Sequence, residues 1–287
     1  MRNTILVPTD FSPNSLSAIQ YASHLAQKRN YGVHLLHYYT STTATFANEG
    51  NNEDLLEDNS LLKADLMMRD LKQQLKGSFD QVVFTSNCVR GLLNEKLPSE
   101  AAEPQYALII LGATGASAKK SYYYGSNTVA ITASSPIPVI AVPAGHETCA
   151  FDRVSLLTKF KSEELETLRT FIDVVGKPNK LSLTHVYREE NDVDETNELL
   201  ESWAFNIREM NLLQEVNIDC APISKTDINL DTVPEVVNSL IKERNPDLIL
   251  VTKTRKSFFE RLFSTSVSKA IALELTKPAF FDRVVED

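Results

Sequence analysis

The residues best suited to chemistry are grouped around three glycines. Gly112-Ala113-Thr114-Gly115 follows an apolar run ending at Leu111, and Gly125-Ser126-Asn127-Thr128 follows after nine more residues. The stretch through Val129, Ala130 and Ile131 is amphipathic, so a helix is predicted to begin near Ser126. Glycine lets backbone approach a ligand closely and take up positive φ. Free N–H groups and the dipole at a helix start favour phosphate oxygens, and Ser126 and Asn127 add side-chain donors. Asp10 follows another apolar run, Thr4-Ile5-Leu6-Val7, within Pro8-Thr9-Asp10-Phe11. Its carboxylate can accept two hydroxyl hydrogen bonds. Ligands of open α/β sheets lie beyond the carboxyl ends of the strands, so Gly112 and Asp10 are expected to face one pocket. The plainer reading of the same glycines is turn punctuation.

Other constellations are weaker. His24, His34, His37, His146 and His185 show no HExxH or other dense ligand spacing, which argues against a metal site. Cys88, Cys149 and Cys220 form no CxxC pair and read as reduced, mostly buried thiols. There is no Walker A motif, no G-x-S-x-G elbow and no convincing general base, so any nucleotide hydrolysis is expected to be slow. Lys119 and Lys120 either neutralise a ligand or are plain surface lysines, and Tyr122-Tyr123-Tyr124 either cover it or pack. The net charge of −9 disfavours a general nucleic-acid binder. No apolar run approaches the roughly 20 residues of a membrane helix, and the start does not read as a signal peptide. The expected location is the cytoplasm.

The elements that must position these residues come in two copies. Residues 4–7 are echoed by Val154-Ser155-Leu156-Leu157, residues 33–39 by 181–187, and residues 106–111 by 246–251, in the same order and at nearly one offset. Each run is short and apolar, as a parallel strand buried on both faces should be. Helical patterns lie between them. Ser12 is a good N-cap with Pro13 at the first helical position, followed by an apolar face of Leu16, Ile19, Ala22, Leu25 and Ala26. Ala64, Met68, Leu71 and Leu75 make a second face, after a polar, acidic linker from Ser41 to about Asn59 that reads as mobile. The acidic run Glu53-Asp54, Glu57-Asp58 suits a solvated helix start. In the second copy, Leu165, Leu168, Ile172 and Val175 make the first face, and residues around Leu199 to Leu213 the next. The predicted fold is therefore α/β, with two tandem domains over 1–146 and 150–287. Each is an open, mostly parallel five-stranded sheet with helices on both faces.

The G-x2-G-x9-G-S spacing, the opening Val7-Pro8-Thr9-Asp10-Phe11-Ser12 and the central Leu35-Leu36-His37-Tyr38-Tyr39 together resemble the universal stress protein family, across the whole chain as two tandem copies. The resemblance implies a Rossmann-like fold that binds adenine nucleotide, ATP alone or with Mg2+. It implies that Asp10 meets the ribose hydroxyls and that backbone around Tyr38 meets the adenine. Gly112, Thr114, Gly115, Gly125, Ser126 and Asn127 would surround the phosphates, with Pro8 and Thr9 lining the pocket. Asn127 stands where many members have Val and Ala118 where many have Gly, with the spacing intact. The family pairs domains through their last strands, here Val139–Val142 and Ala279–Val284, so an intramolecular pseudo-dimer is expected, with homodimerisation open.

The second copy has lost the signature. Shifted along the repeat, Gly112, Gly115 and Gly125 become Thr252, Arg255 and Thr265, Ser126 is kept as Ser266, Asn127 becomes Val267, and Asp10 becomes Lys159. A lysine cannot accept ribose hydrogen bonds. Lys159, Arg255, Lys256 and Arg261 either form a basic pocket or are solvated surface charges. The expected function is an ATP-binding stress-response or regulatory protein with the nucleotide in the first domain. A protein–protein scaffold with an empty pocket and a weak nucleotide hydrolase are the alternatives.

Overall fold

The computed structural model describes residues 2–40, 53–113, 125–187, 193–224, 227, 232–253 and 276–283. The first half runs β1 (Thr4–Pro8), α1 (Pro13–Arg29), β2 (Gly32–Tyr39), α2 (Glu53–Ser78), β3 (Phe84–Arg90), α3 (Leu93–Ala101), β4 (Tyr106–Gly112), α4 (Ser126–Ser134) and β5 (Val139–Val142). The second half runs β6 (Arg153–Leu157), α5 (Ser162–Val174), β7 (Lys180–Tyr187), α6 (Val193–Glu209), β8 (Val216–Pro222), α7 (Val233–Arg244), β9 (Leu248–Lys253) and β10 (Ala279–Arg283). The segment that would match α4 lies outside the described residues.

The strands form one sheet in the order β3-β2-β1-β4-β5-β10-β9-β6-β7-β8. Every neighbouring pair is parallel except β5 and β10, which run antiparallel with Ala279 opposite Ala141 and Phe281 opposite Val139. The two expected five-stranded sheets are thus fused through their last strands, and two edges that would template foreign pairing are consumed. Val284 lies outside the described residues.

Alternation along the strands builds two cores. Ile5 and Val7 point to a face covered by α1, α2, α5 and α6, while Leu6 points to a face covered by α3, α4 and α7. Both cores run through both halves. Within the second half, Phe171 of α5 meets Phe280 of β10 edge to face at 5.3 Å. Lys28 Nζ donates to the Cys149 carbonyl at 2.7 Å and lies 5.1 Å from the Phe151 ring centre.

Local structure follows the sequence signals with some shifts. Ser12 caps α1 by accepting from Ser15 N, and Pro13 opens the helix. Leu16, placed on the apolar face from spacing, is 38% exposed, and Ser15, Ala18 and Tyr21 are buried instead. The α5 face is set by Thr167, Leu168 and Phe171, with Leu165 and Ile172 only partly buried against the core. The helix expected over Leu199 to Leu213 spans Val193–Glu209, and the expected linker from Ser41 ends earlier, because α2 already begins at Glu53. Residues 41–52 lie outside the described residues.

Candidate functional site

The strand order reverses beside β1: β2 and β3 lie on one side, β4 and β5 on the other. Two successive connections diverge there, and a crevice opens at the carboxyl ends of the strands. It is a cavity of about 340 Å³, within the range of small-molecule sites. Pro8, Thr9 and Asp10 form its floor at the end of β1, Leu111 and Gly112 the end of β4, and Asn127 and Thr128 the first turn of α4. Leu36 and Tyr38 come from β2, with Thr40 just after it.

The loop after β1 is tightly organised. Thr9 Oγ1 accepts from Phe11 N at 3.0 Å, and Asp10 Oδ1 accepts from Ser12 N at 3.0 Å. These bonds turn the chain through Phe11, which takes φ 60°. A bulky residue in the left-handed region is strained by about 1–3 kcal/mol. The His37 ring packs against Phe11 in a tilted arrangement, centroids 4.7 Å apart, and donates from Nδ1 to the Thr9 carbonyl at 2.8 Å. Asp10 is consequently held exposed at the cavity mouth.

Six residues expected at the site, Pro8, Thr9, Asp10, Tyr38, Gly112 and Asn127, line this one cavity. Gly125 and Ser126 stand at the start of α4, where Gly125 is the N-cap with φ −66°. Thr114 and Gly115 lie outside the described residues, as do Lys119, Lys120 and the Tyr122–Tyr124 run. Gly112 has a different reason to be glycine than the one expected. A Cβ there would lie 2.9 Å from the backbone carbonyl of Asn14, so it is the close approach of α1 that excludes a side chain. The helix contact, with no positive φ, explains this residue. Burial pushes the Tyr38 hydroxyl up to about 12, with Glu100 adding to the effect, so the phenol is neutral and available as a donor.

Sequence reasoning missed one wall. Gly91 and Leu92, from the turn after β3, and Leu93 and Asn94, the first residues of α3, enter the cavity. Gly91 takes φ 145° and its N–H donates to the Tyr39 carbonyl at 3.0 Å, tying this turn to the end of β2. Gly91 was the available signal, a glycine following a polar strand.

The second half keeps the loop and changes its contents. Phe160 takes φ 62°, its N–H reaches Thr158 Oγ1 at 3.0 Å, and His185 Nδ1 donates to the Thr158 carbonyl at 2.8 Å. Glu164 stands where Ser15 stands in the first half. Its buried carboxylate accepts from Thr158 Oγ1 at 2.6 Å, Lys159 N at 2.9 Å and Lys161 N at 3.3 Å. Burial pushes this carboxyl up, while the three hydrogen bonds pull it back. Thr252, at the position of Gly112, sends Oγ1 to Thr167 Oγ1 of α5 at 2.8 Å. Glu164 and Thr252 thus put bonded side chains at the positions held by Ser15 and Gly112 in the first half. Arg255, Lys256 and Arg261 lie outside the described residues.

Burial, helped by Asp65, pushes the Cys88 thiol up to about 12, far from thiolate. All three cysteines are free; Cys149 is buried, while Cys88 and Cys220 are half-buried, less than expected. No group of three or more His, Cys, Asp or Glu side chains among the described residues could hold a metal ion. No described helix is long and apolar enough to cross a membrane.

Comparison with known proteins adds the family. The sequence model of the universal stress protein family matches residues 1–143 and again residues 151–281. Among solved structures, a universal stress protein from Archaeoglobus fulgidus superposes with TM-score 0.70 at 18% identity, covering 99% of this chain and 97% of that one. A functionally unknown protein from Pseudomonas aeruginosa superposes with TM-score 0.57 at 13% identity, covering 98% and 92%. A universal stress protein solved in complex with cAMP matches over 50% of this chain and 98% of its own, with TM-score 0.39 at 21% identity. No curated protein sequence matches.

Proposed function

This chain belongs to the universal stress protein family as two tandem copies, and from that premise we propose that its first half binds an adenine nucleotide, ATP in particular, as a regulatory module of the stress response. The observation that carries the reading is the crevice at the strand-order reversal, which joins an exposed Asp10 carboxylate to the first turn of α4 across about 340 Å³. In this reading Asp10 accepts from the ribose hydroxyls. Pro8, Thr9 and Tyr38 line the nucleoside. Gly112, Thr114, Gly115, Gly125, Ser126 and Asn127 surround the phosphates, where the amino end of α4 favours negative charge. Mg2+ would be held mainly by the phosphates, since no acidic cluster stands in the crevice among the described residues. The second half takes no nucleotide in this way, because Glu164 already satisfies the donors of its loop. The domains are read as 1–146 and 150–287, and the location as cytoplasmic.

The test is direct. Purified protein is extracted with acid and assayed for adenine nucleotide, and ATP is titrated into wild type, Asp10→Ala and Gly115→Arg. Binding by wild type that both substitutions weaken supports the reading. Binding that neither changes removes the site assignment, and absence of any binding transfers the function to a scaffold with an empty pocket. Steady multiple turnover would make the protein a hydrolase.

A further inference from the structure

We infer that Lys253, in the second half, is a positioning residue for the nucleotide site in the first half and acts through α4; the inference rests on the nucleotide reading above. Lys253 ends β9 and is only 7% exposed. Alternation along β9 sends Ile249 and Val251 to the face that α4 covers, and Lys253 continues that row. Its Nζ donates to the backbone carbonyl of Thr132, across the junction between the halves.

Thr132 lies near the carboxyl end of α4, where the last carbonyls have no partner within the helix. Ser135 N satisfies the Ile131 carbonyl, and Lys253 satisfies the next one. A cation there also suits the negative end of the helix dipole. Hydrogen bonds then lead back to the crevice. Thr132 Oγ1 donates to the Thr128 carbonyl at 2.7 Å, and Thr128 Oγ1 donates to the Gly112 carbonyl at 3.0 Å. Thr128 and Gly112 both line the cavity. The second half therefore grips one end of the helix whose other end faces the ligand. Burying an ammonium is costly, and the repeat does not demand it, since the matched residue in the first half is Ala113. The pairing of β5 and β10 and the shared cores already join the halves; the lysine adds a connection aimed at α4.

The test uses the full chain. ATP is titrated calorimetrically into wild type, Lys253→Met, Lys253→Arg and Thr132→Val. Lys253→Met is expected to weaken binding by about five- to tenfold, at the lower end of typical coupling between sites. Lys253→Arg should recover most of the loss, and Thr132→Val, which keeps the carbonyl that Lys253 uses but breaks the bond from Thr132 Oγ1 to the Thr128 carbonyl, should weaken binding one step nearer the crevice. Hydrogen exchange supplies a readout that a merely structural lysine would not move. Without nucleotide, amides 126–134 should exchange faster in Lys253→Met while those of α1 keep their wild-type rates. With ATP, amides of β9 should gain protection in wild type and not in Lys253→Met. Unchanged affinity in Thr132→Val and in Lys253→Met, or unchanged exchange in α4, overturns the inference. If Lys253→Met does not fold, exchange in wild type decides it: no protection gained by the β9 amides on adding ATP overturns the inference. If wild type binds no ATP, the nucleotide reading fails and takes the role of Lys253 in binding with it, whereas intact ATP binding with unaltered α4 exchange sinks the lysine alone.

Discussion

His37 Nδ1 lies 2.8 Å from the Thr9 carbonyl oxygen, and the first half closes its loop through that bond. The carbonyl accepts, so the ring carries its proton on Nδ1. The second half repeats the relationship between His185 and Thr158 at the same 2.8 Å, with Phe160 tilted against His185 at 4.7 Å as Phe11 is against His37. The strained Phe11 and Phe160 are kept in both halves although Asp10 is present in only one. The strained turn is therefore part of the framework of the fold, and the ligand chemistry is added on top of it.

The first prediction separates those roles. His37→Ala and His185→Ala should each lower stability by about 1–2 kcal/mol, the cost of a lost hydrogen bond and ring contact. Urea unfolding measures this. Only His37→Ala should also weaken ATP binding, because only its loop carries Asp10. Equal effects on binding from both would mean the loop acts on the site through stability alone.

Gly112→Ala should destabilise the protein by about 1–3 kcal/mol, since its new Cβ meets the α1 backbone and cannot be accommodated by rotating a side chain. ATP binding should weaken as Asn14 and its neighbours shift. Thr252→Ala, at the matched position, should cost only about 1 kcal/mol for its lost bond to Thr167. Thermal unfolding of the two variants makes the comparison.

Glu164→Ala should be among the most damaging changes in the second half. It leaves Lys159 N, Lys161 N and the Thr158 hydroxyl without their acceptor in a partly buried loop. A loss of about 2–4 kcal/mol is expected from unfolding curves. ATP affinity should hardly change, because the crevice of the first half is untouched.

Stability should fall on mild acidification. Burial holds the imidazoles of His34, His146 and His185 below their ordinary value of 6.5. The unfolded chain therefore takes up protons near pH 6.5 while the folded chain does not. This stability is fully present above 6.5 and is lost as pH falls from there through the lower folded values. His34 is a clear case, with Nδ1 on Thr85 Oγ1 at 2.8 Å and Nε2 buried without a hydrogen-bond partner. Melting temperatures at about pH 7.5 and about pH 5.5 should drop less in His34→Leu than in wild type.

What the sequence disclosed and what it hid have physical causes. The central strands β1, β4 and β9 are buried on both faces, so their apolar runs stand out, and the repeat was legible from them; the joining of the last strands was expected only from the family resemblance. The outer strands β3 and β8 read Phe84-Thr-Ser-Asn-Cys-Val-Arg90 and Val216-Asn-Ile-Asp-Cys-Ala-Pro222. Each has half or more of its residues open to solvent or half-buried, so neither offers a continuous apolar signal, and the wall from Gly91 to Asn94 went unseen with β3. Asp10 and Gly112 were found because they follow readable strands. Gly112 has a further reason to be glycine that stayed hidden, because one sequence cannot show how closely α1 approaches it. Glu164 and Lys253 stayed hidden for the same cause: each looks like a surface charge until its partners, distant in sequence or folded back on it, are in view.

The antiparallel seam between β5 and β10 also sets an order of events at the ribosome. Ala141 pairs with Ala279, so a strand of the first half is finished well before its partner has been made. At roughly 5–20 residues per second, the separation between those positions corresponds to a wait on the order of ten seconds. Throughout that interval β5 is an unguarded margin, open to a neighbouring nascent chain on the same message. Premature termination anywhere between the two strands would make that exposure permanent.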